Sequence, residues 1–133
     1  MMTSRRKMML ILMSGLIAGG LSAGEPEIRL RSRLTGAAIG ALVPSGSADF
    51  RAKGGASRLN VQVEDVALPV GTQLTVKVNG VTAGTITLSA SPVTPGGELE
   101  LNTKDGQVVP AAKKGDVVTV FRGDGSAVVS GVL

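Results

Sequence analysis

From Gln73 to Leu88 apolar and polar residues alternate, with Leu74, Val76 and Val78 set between Gln73, Thr75, Lys77 and Asn79 before Asn79-Gly80 interrupts the run. Successive side chains of a strand point to opposite faces, so this pattern with its Asn-Gly break predicts a β-hairpin. A two-residue loop at Asn79-Gly80 would pair Val78 with Val81 and Leu74 with Thr85. Ile86 and Leu88 would then face away from Leu74, Val76 and Val78, because a slip of one residue reverses every side chain. Pairing Val76 with Gly84 and Leu74 with Ile86 gathers the large apolar residues on one face. That register requires an odd-length loop or a bulge, for which Gly80 and Gly84 have the conformational freedom.

The same period recurs along the chain. Ile28, Leu30 and Leu34 alternate with Arg29, Arg31 and Arg33, which predicts a strand with a basic outer face. Gly36 to Val43 is small and apolar, compatible with a short helix, and Pro44-Ser45-Gly46 ends it. Ala48, Phe50 and Ala52 alternate with Asp49, Arg51 and Lys53, and Gly54-Gly55 follows. Leu59, Val61 and Val63 form the cleanest alternation of all. Ser89 to Gly97, with two prolines and two glycines, reads as a connection. Leu99 and Leu101 mark a short strand, and Val108-Val109-Pro110 suits only an edge or a strand end, since proline donates no ladder hydrogen bond. Val117 to Arg122 and Ser126 to Leu133 flank Gly123-Asp124-Gly125 as a last hairpin. About seven to nine short strands with turns every ten residues or so indicate a sandwich or a small barrel. The expected form is all-β, a small antiparallel β-sandwich of immunoglobulin-like or Greek-key type. Leu59, Val61, Val63, Leu74, Val76, Val78, Ile86 and Leu88 are expected to share its core face.

The first residues follow a different pattern. Arg5, Arg6 and Lys7 precede an apolar run from Met8 to Leu21, about 14 residues where a membrane-spanning helix takes about 20. With Ser22-Ala23-Gly24 behind it, this reads as a cleavable signal peptide over residues 1–24, leaving one domain over 25–133 that begins at Glu25. The protein is then expected to be secreted or periplasmic, with no membrane insertion after cleavage. Of the 14 basic residues three lie in the leader, and all 10 acidic residues lie beyond it. The net charge therefore falls from +4 to 11 − 10 = +1 in residues 25–133. A basic balance that small is no argument for nucleic-acid binding.

All five methionines also fall in the leader, so residues 25–133 contain no Met, Trp, Tyr, Cys or His, and Phe50 and Phe121 are the only aromatics. The core has to be made of Val, Leu, Ile and Ala. Without His or Cys, the usual zinc, copper and haem ligand sets cannot be assembled, nor can a Ser/His/Asp or Cys/His catalytic group. No metal or other cofactor is expected, and no enzymatic activity. Asp105, Asp116 and Asp124 each adjoin a glycine-containing turn, but no calcium-loop pattern surrounds them. Glu98 and Glu100, two apart on a strand, read as a surface pair and not as the opposed carboxylates of a glycosidase. Two candidate binding features remain. The arginines Arg29, Arg31 and Arg33 would suit anionic glycans or phosphates, or else guard a sheet edge. Arg122-Gly123-Asp124 spells a tripeptide that integrin ligands carry at loop tips, in a place where Gly-Asp-Gly is also what a turn requires.

From Leu34 to Leu88, the residues Leu34-Thr35-Gly36, Pro44-Ser45-Gly46-Ser47-Ala48-Asp49-Phe50, Leu59-Asn60-Val61-Gln62-Val63 and Leu68-Pro69 resemble bacterial secreted CHRD-type (chordin-like) domains. The resemblance covers about half of residues 25–133. Such domains typically carry a histidine pair in the following strand, and none is present around Val76 to Val78, so no role of those histidines carries over. The resemblance implies an extracytoplasmic antiparallel β-sandwich. Together these features predict a non-catalytic binding or interaction module, the alternative being a structural subunit of a cell-surface or extracellular assembly whose partner is another protein or a surface component.

Overall fold

A computed structural model of the chain describes residues 26–90 and 94–133. The expected leader and its cleavage site lie outside the described residues. The domain is all-β, with strands β1 (Ile28–Thr35), β2 (Ser45–Lys53), β3 (Ala56–Glu64), β4 (Gln73–Val78), β5 (Val81–Thr87), β6 (Ser89–Ala90), β7 (Pro95–Asn102), β8 (Val117–Phe121) and β9 (Ala127–Val132). One 3-10 turn spans Thr103–Asp105. All pairings are antiparallel, in the order β5-β4-β8-β9-β1-β2-β3-β7-β6. The strands form one nearly closed sheet, more like a barrel than two facing sheets.

Closure depends on a single run of chain. β5 pairs with β4, and Leu88 continues that edge by donating to the Thr72 carbonyl (2.9 Å) and accepting from the Gly71 amide (2.8 Å). The next two residues, β6, pair instead with the start of β7, Ser89 with Gly96 and Ala90 with Pro95. Taking β5 and β6 as one strand gives a ring of eight, a size whose interior side chains just fill. The filling here is small. Leu34, Leu59, Leu74, Ile86, Leu88 and a set of valines are buried, and Phe50 is the one aromatic among the buried residues. The eight residues expected to share the core face are all 3% exposed or less.

The hairpin register follows from two devices at once. Asn79 (φ +50°) and Gly80 (φ +83°) make the two-residue turn that pairs Val78 with Val81 and Lys77 with Thr82. A bulge then shifts the register, so Val76 pairs with Gly84 and Leu74 with Ile86, the pairing required to bury both leucine and isoleucine. Gly84 itself has no left-handed backbone. Its role is space, since a Cβ there would stand 3.0 Å from Leu99 Cδ1 on β7.

Several expectations are corrected. β1 lies between β9 and β2 in the sheet, although it pairs with β9 only at Thr35 and Ser130. No helix forms over Gly36 to Val43; Ile39 and Leu42 exchange backbone hydrogen bonds around Gly40 at φ +60°. The connection after Leu88 is shorter than the glycines and prolines suggest, because Pro95, Gly96 and Gly97 already belong to β7. Gly97 is required there by proximity: a Cβ would lie 2.5 Å from Ile86 Cγ2 and 2.9 Å from the Thr87 oxygen. Residues 107–116 form no strand, with Val108 86% exposed and Val109 packed against the core.

Val76→Ala is expected to cost about 1 to 3 kcal/mol through lost methyl groups and a cavity that small neighbours fill poorly. Lys77→Ala, facing outward with its ammonium 5.4 Å from the Phe121 ring centroid, should cost about 0.5 kcal/mol. Equal shifts in the urea midpoint would contradict the face assignment. Gly97→Ala should destabilise by at least about 2 kcal/mol by forcing β7 off β5, and a melting temperature equal to that of the wild type would show that the seam is loose.

Candidate functional site

A broad polar surface is formed by the outer face of β1, β2, β3 and β7. Register stacks its side chains in rows across the strands. Arg29 opposes Arg51, which opposes Arg58 and then Asn102. The next row is Arg31, Asp49, Asn60 and Glu100, and the third is Arg33, Ser47, Gln62 and Glu98. Opposed side chains on neighbouring strands sit about 5 Å apart at Cβ, so the first row sets three arginines side by side.

Asp49 is the one carboxylate among them. Its Oδ2 accepts from Arg31 Nε at 3.1 Å and lies 3.7 Å from Arg29 Nη2, while Oδ1 lies 3.7 Å from Arg51 Nε. Asp49 Oδ1 and Arg51 Nε are closed off from solvent without a hydrogen bond. At the acidic side of the face, Glu98 accepts from Asn60 Nδ2 (2.5 Å) and Gln62 Nε2 (3.2 Å), and these bonds hold its carboxyl below the usual range. The two amides therefore stand between the glutamates of β7 and the arginines of β1 and β2.

The expected binding residues are only partly brought together. Arg29, Arg31 and Arg33 line one face as the alternation predicts, with Arg51 and Arg58 added beside them. The β2–β3 turn places Gly54 and Gly55 at φ +61° and +82° and pairs Lys53 with Ala56, from which Arg51 opposite Arg58 follows by counting. Arg122 and Asp124 are elsewhere, in the β8–β9 turn. Arg122 lines a shallow groove with Thr75, Lys77, Thr82 and Phe121. Asp124 Oδ1 accepts from the Ser126 hydroxyl (2.6 Å) and amide (2.9 Å), which lowers its pKa and commits the carboxylate to its own turn.

An apolar groove of about 410 Å³ opens where Pro26, Ile28, Phe50, Ala52, Val109 and Ala112 meet. Ligand sites usually combine an apolar lining with convergent polar groups, and here only Lys53 and Ser57 contribute polar side chains. Among the described residues, no three Asp or Glu gather as a metal site. Likewise no helix there is long and apolar enough to cross a membrane.

Asp116 is the one buried charged residue among those described, at 6% exposure. Its Oδ2 accepts from the Lys113 amide at 3.0 Å and Oδ1 from Lys113 Nζ at 3.2 Å. The amide bond is the largest cause of its lowered pKa, which burial opposes. A depressed carboxyl stabilises the fold above its unfolded pKa, near 3.8, and the contribution is lost as pH falls below that. Asp116→Asn is therefore expected to lower the melting temperature at pH 7 and to make its decline between pH 5 and pH 2 shallower. An unchanged acid profile would contradict the assignment.

Comparison with protein-family models, with curated proteins and with solved structures returned no match to this chain.

Proposed function

We propose that this chain is an exported, non-catalytic binding module that presents the outer face of β1, β2 and β3 to its ligand. The observation that carries this reading is the gathering of five arginines, Arg29, Arg31, Arg33, Arg51 and Arg58, on one face of the sheet, three of them against the carboxylate of Asp49. The acid–base inventory points the same way. The chain has no His or Cys, and the carboxyls whose ionisation the fold moves, Glu98, Asp116 and Asp124, all move down. A general acid at neutral pH needs the opposite shift. The chordin-like resemblance implies a place outside the cytoplasm.

One observation favours a second reading, a structural subunit of a surface assembly. β1 pairs with β9 only at Thr35 and Ser130, so among the described residues the earlier part of β1 has a ladder partner on β2 alone. A neighbour's strand would add there.

Three measurements test these readings. Mass spectrometry of the exported protein should find an N-terminus at Glu25, and an intact Met1 in the envelope fraction would overturn the export assignment. At tens of micromolar the processed protein should be monomeric by light scattering, whereas a defined assembly would favour the subunit. The protein should also co-sediment with envelope particles from the producing cells at low salt. Arg31→Ser/Arg51→Ser/Arg58→Ser should remain in the supernatant, and equal sedimentation of the two proteins would exclude this face.

A further inference from the structure

We propose that the arginine face is a subsite for a linear anionic polysaccharide. The inference rests on the reading of the chain as a binding module and names the class of ligand.

The first argument is the cost of the arrangement. Like charges directly opposite one another on neighbouring strands destabilise a sheet, and Arg29, Arg51 and Arg58 are in direct register across three strands. Asp49 contacts Arg29, Arg31 and Arg51; among the described residues Arg33 and Arg58 have no ion-pair partner. The cluster carries 5 − 1 = +4, while residues 25–133 carry only 11 − 10 = +1, so the rest of the domain carries 6 − 9 = −3. Guarding the open edge of β1 against aggregation would account for Arg29, Arg31 and Arg33 but not for Arg51 and Arg58, because β2 and β3 are paired along both sides. An anion binding across the row relieves the repulsion.

The second argument is shape. A groove of about 310 Å³ includes Lys53, Arg51, Arg58 and Lys104 with no acid, and another of about 420 Å³ includes Arg31 and Arg33 together with Asp49 and Glu64. Arg51 and Asp49 are two residues apart on β2, so the two grooves are neighbours along that strand. Guanidinium forks along them match carboxylate, sulfate or phosphate oxygens in pairs. Ser45, Ser47 and Asp49 line the second groove and offer partners for sugar hydroxyls.

The third argument is what the face lacks as a surface for other anions. The rows expose Arg, Asp, Ser, Asn and Gln, with no apolar side chain to enter a bilayer. Phe50 is buried and Phe121 belongs to β8, so no aromatic platform is present for single-stranded nucleic acid. A duplex, being wide, would press phosphates against Glu98 and Glu100 on the same face. A narrow polyhydroxyl chain stays on β1, β2 and β3.

The test uses the chain expressed with its leader and processed by the host. Binding to heparin, polygalacturonate, neutral dextran, phosphatidylglycerol vesicles and duplex DNA is measured across a sodium chloride series. Heparin and polygalacturonate should bind and dextran should not. Arg51→Ser/Arg58→Ser should weaken that binding at least about tenfold, the loss of a charge-assisted contact. Lys77→Ser removes a charge on β4, across the ring, and should change it less than about twofold. The double variant should also melt no lower than the wild type, since it relieves repulsion; a lower melting temperature would assign the row a structural role and overturn the proposal. Equal losses from Lys77→Ser and the double variant, or vesicles or duplex bound as tightly as the polysaccharides, would overturn it as well. If neither polysaccharide binds while envelope particles still do, the ligand class fails and the binding reading stands. If none of these binds, both fail.

Discussion

Closure of the sheet depends on how near β5 can come to β7. The chain passes from bonding Gly71 and Thr72, just ahead of β4, at Leu88 to pairing with β7 at Ser89, within one residue, so the two neighbours must already stand close. They do so because two positions at the seam have no side chain, and a third lets β7 lie close against β3. Gly84 leaves room for Leu99, Gly97 admits Ile86 and the Thr87 carbonyl, and Gly96 lies against the Val63 oxygen. A methyl group at Gly96 or Gly97 would hold the strands apart. Without the seam the sheet would expose Leu74, Ile86 and Leu88 along an open edge, and a core without bulky residues could not compensate.

A closed ring with a small aliphatic interior has a consequence for the outside. Every strand must turn its polar residues outward, and antiparallel register then fixes which of them become neighbours. In most rows the result is neutral, as with Thr75 beside Thr85 or Thr119 beside Ser130, the latter pair sharing a 3.0 Å hydrogen bond. In the row from Arg29 to Arg58 it is not. The basic face follows from the same periodicity that builds the core, and a change of register at β1 would both bury Arg31 and scatter the cluster.

Much of this was legible in the chain. Alternation alone identifies the inward residues of β2, β3 and β4, and burying Ile86 with Leu74 is enough to demand the shift between β4 and β5. Arg51 opposite Arg58 was also within reach, since Gly54-Gly55 is a two-residue turn and pairing follows from counting outward. Arg29 opposite Arg51 was not. Nine residues, 36–44, separate β1 from β2, and their small apolar composition reads equally as helix or loop, so no count carries across them. Pro95, Gly96 and Gly97 misread for another reason. Their composition signals a connection, whereas they serve close approach to residues more than 30 positions earlier in the case of Val63, which no local pattern reports. Asp116 was read as a turn aspartate, and its burial depends on Leu133 folding back: the Leu133 amide donates to the Asp116 carbonyl at 2.9 Å and its carbonyl accepts from Gly115 at 2.8 Å.

Asp49 shows how a sheet can hold a charged surface ready without neutralising it. Placed one row from Arg29 and Arg51 and directly beside Arg31, it meets three guanidiniums at 3.1 to 3.7 Å, yet hydrogen-bonds only one of them. A carboxylate on each arginine would have made a surface of closed ion pairs, each contributing little to stability and offering little to an anion. A single acid limits the spread of the cluster and orients its side chains, which lowers the entropy lost when a ligand orders them. The net positive charge remains, and with it the attraction for an extended anion. Glu98 bonds Asn60 and Gln62 of β3 through Oε2 and stands a strand away from β2, so the acidic strand β7 borders the arginine face without quenching it.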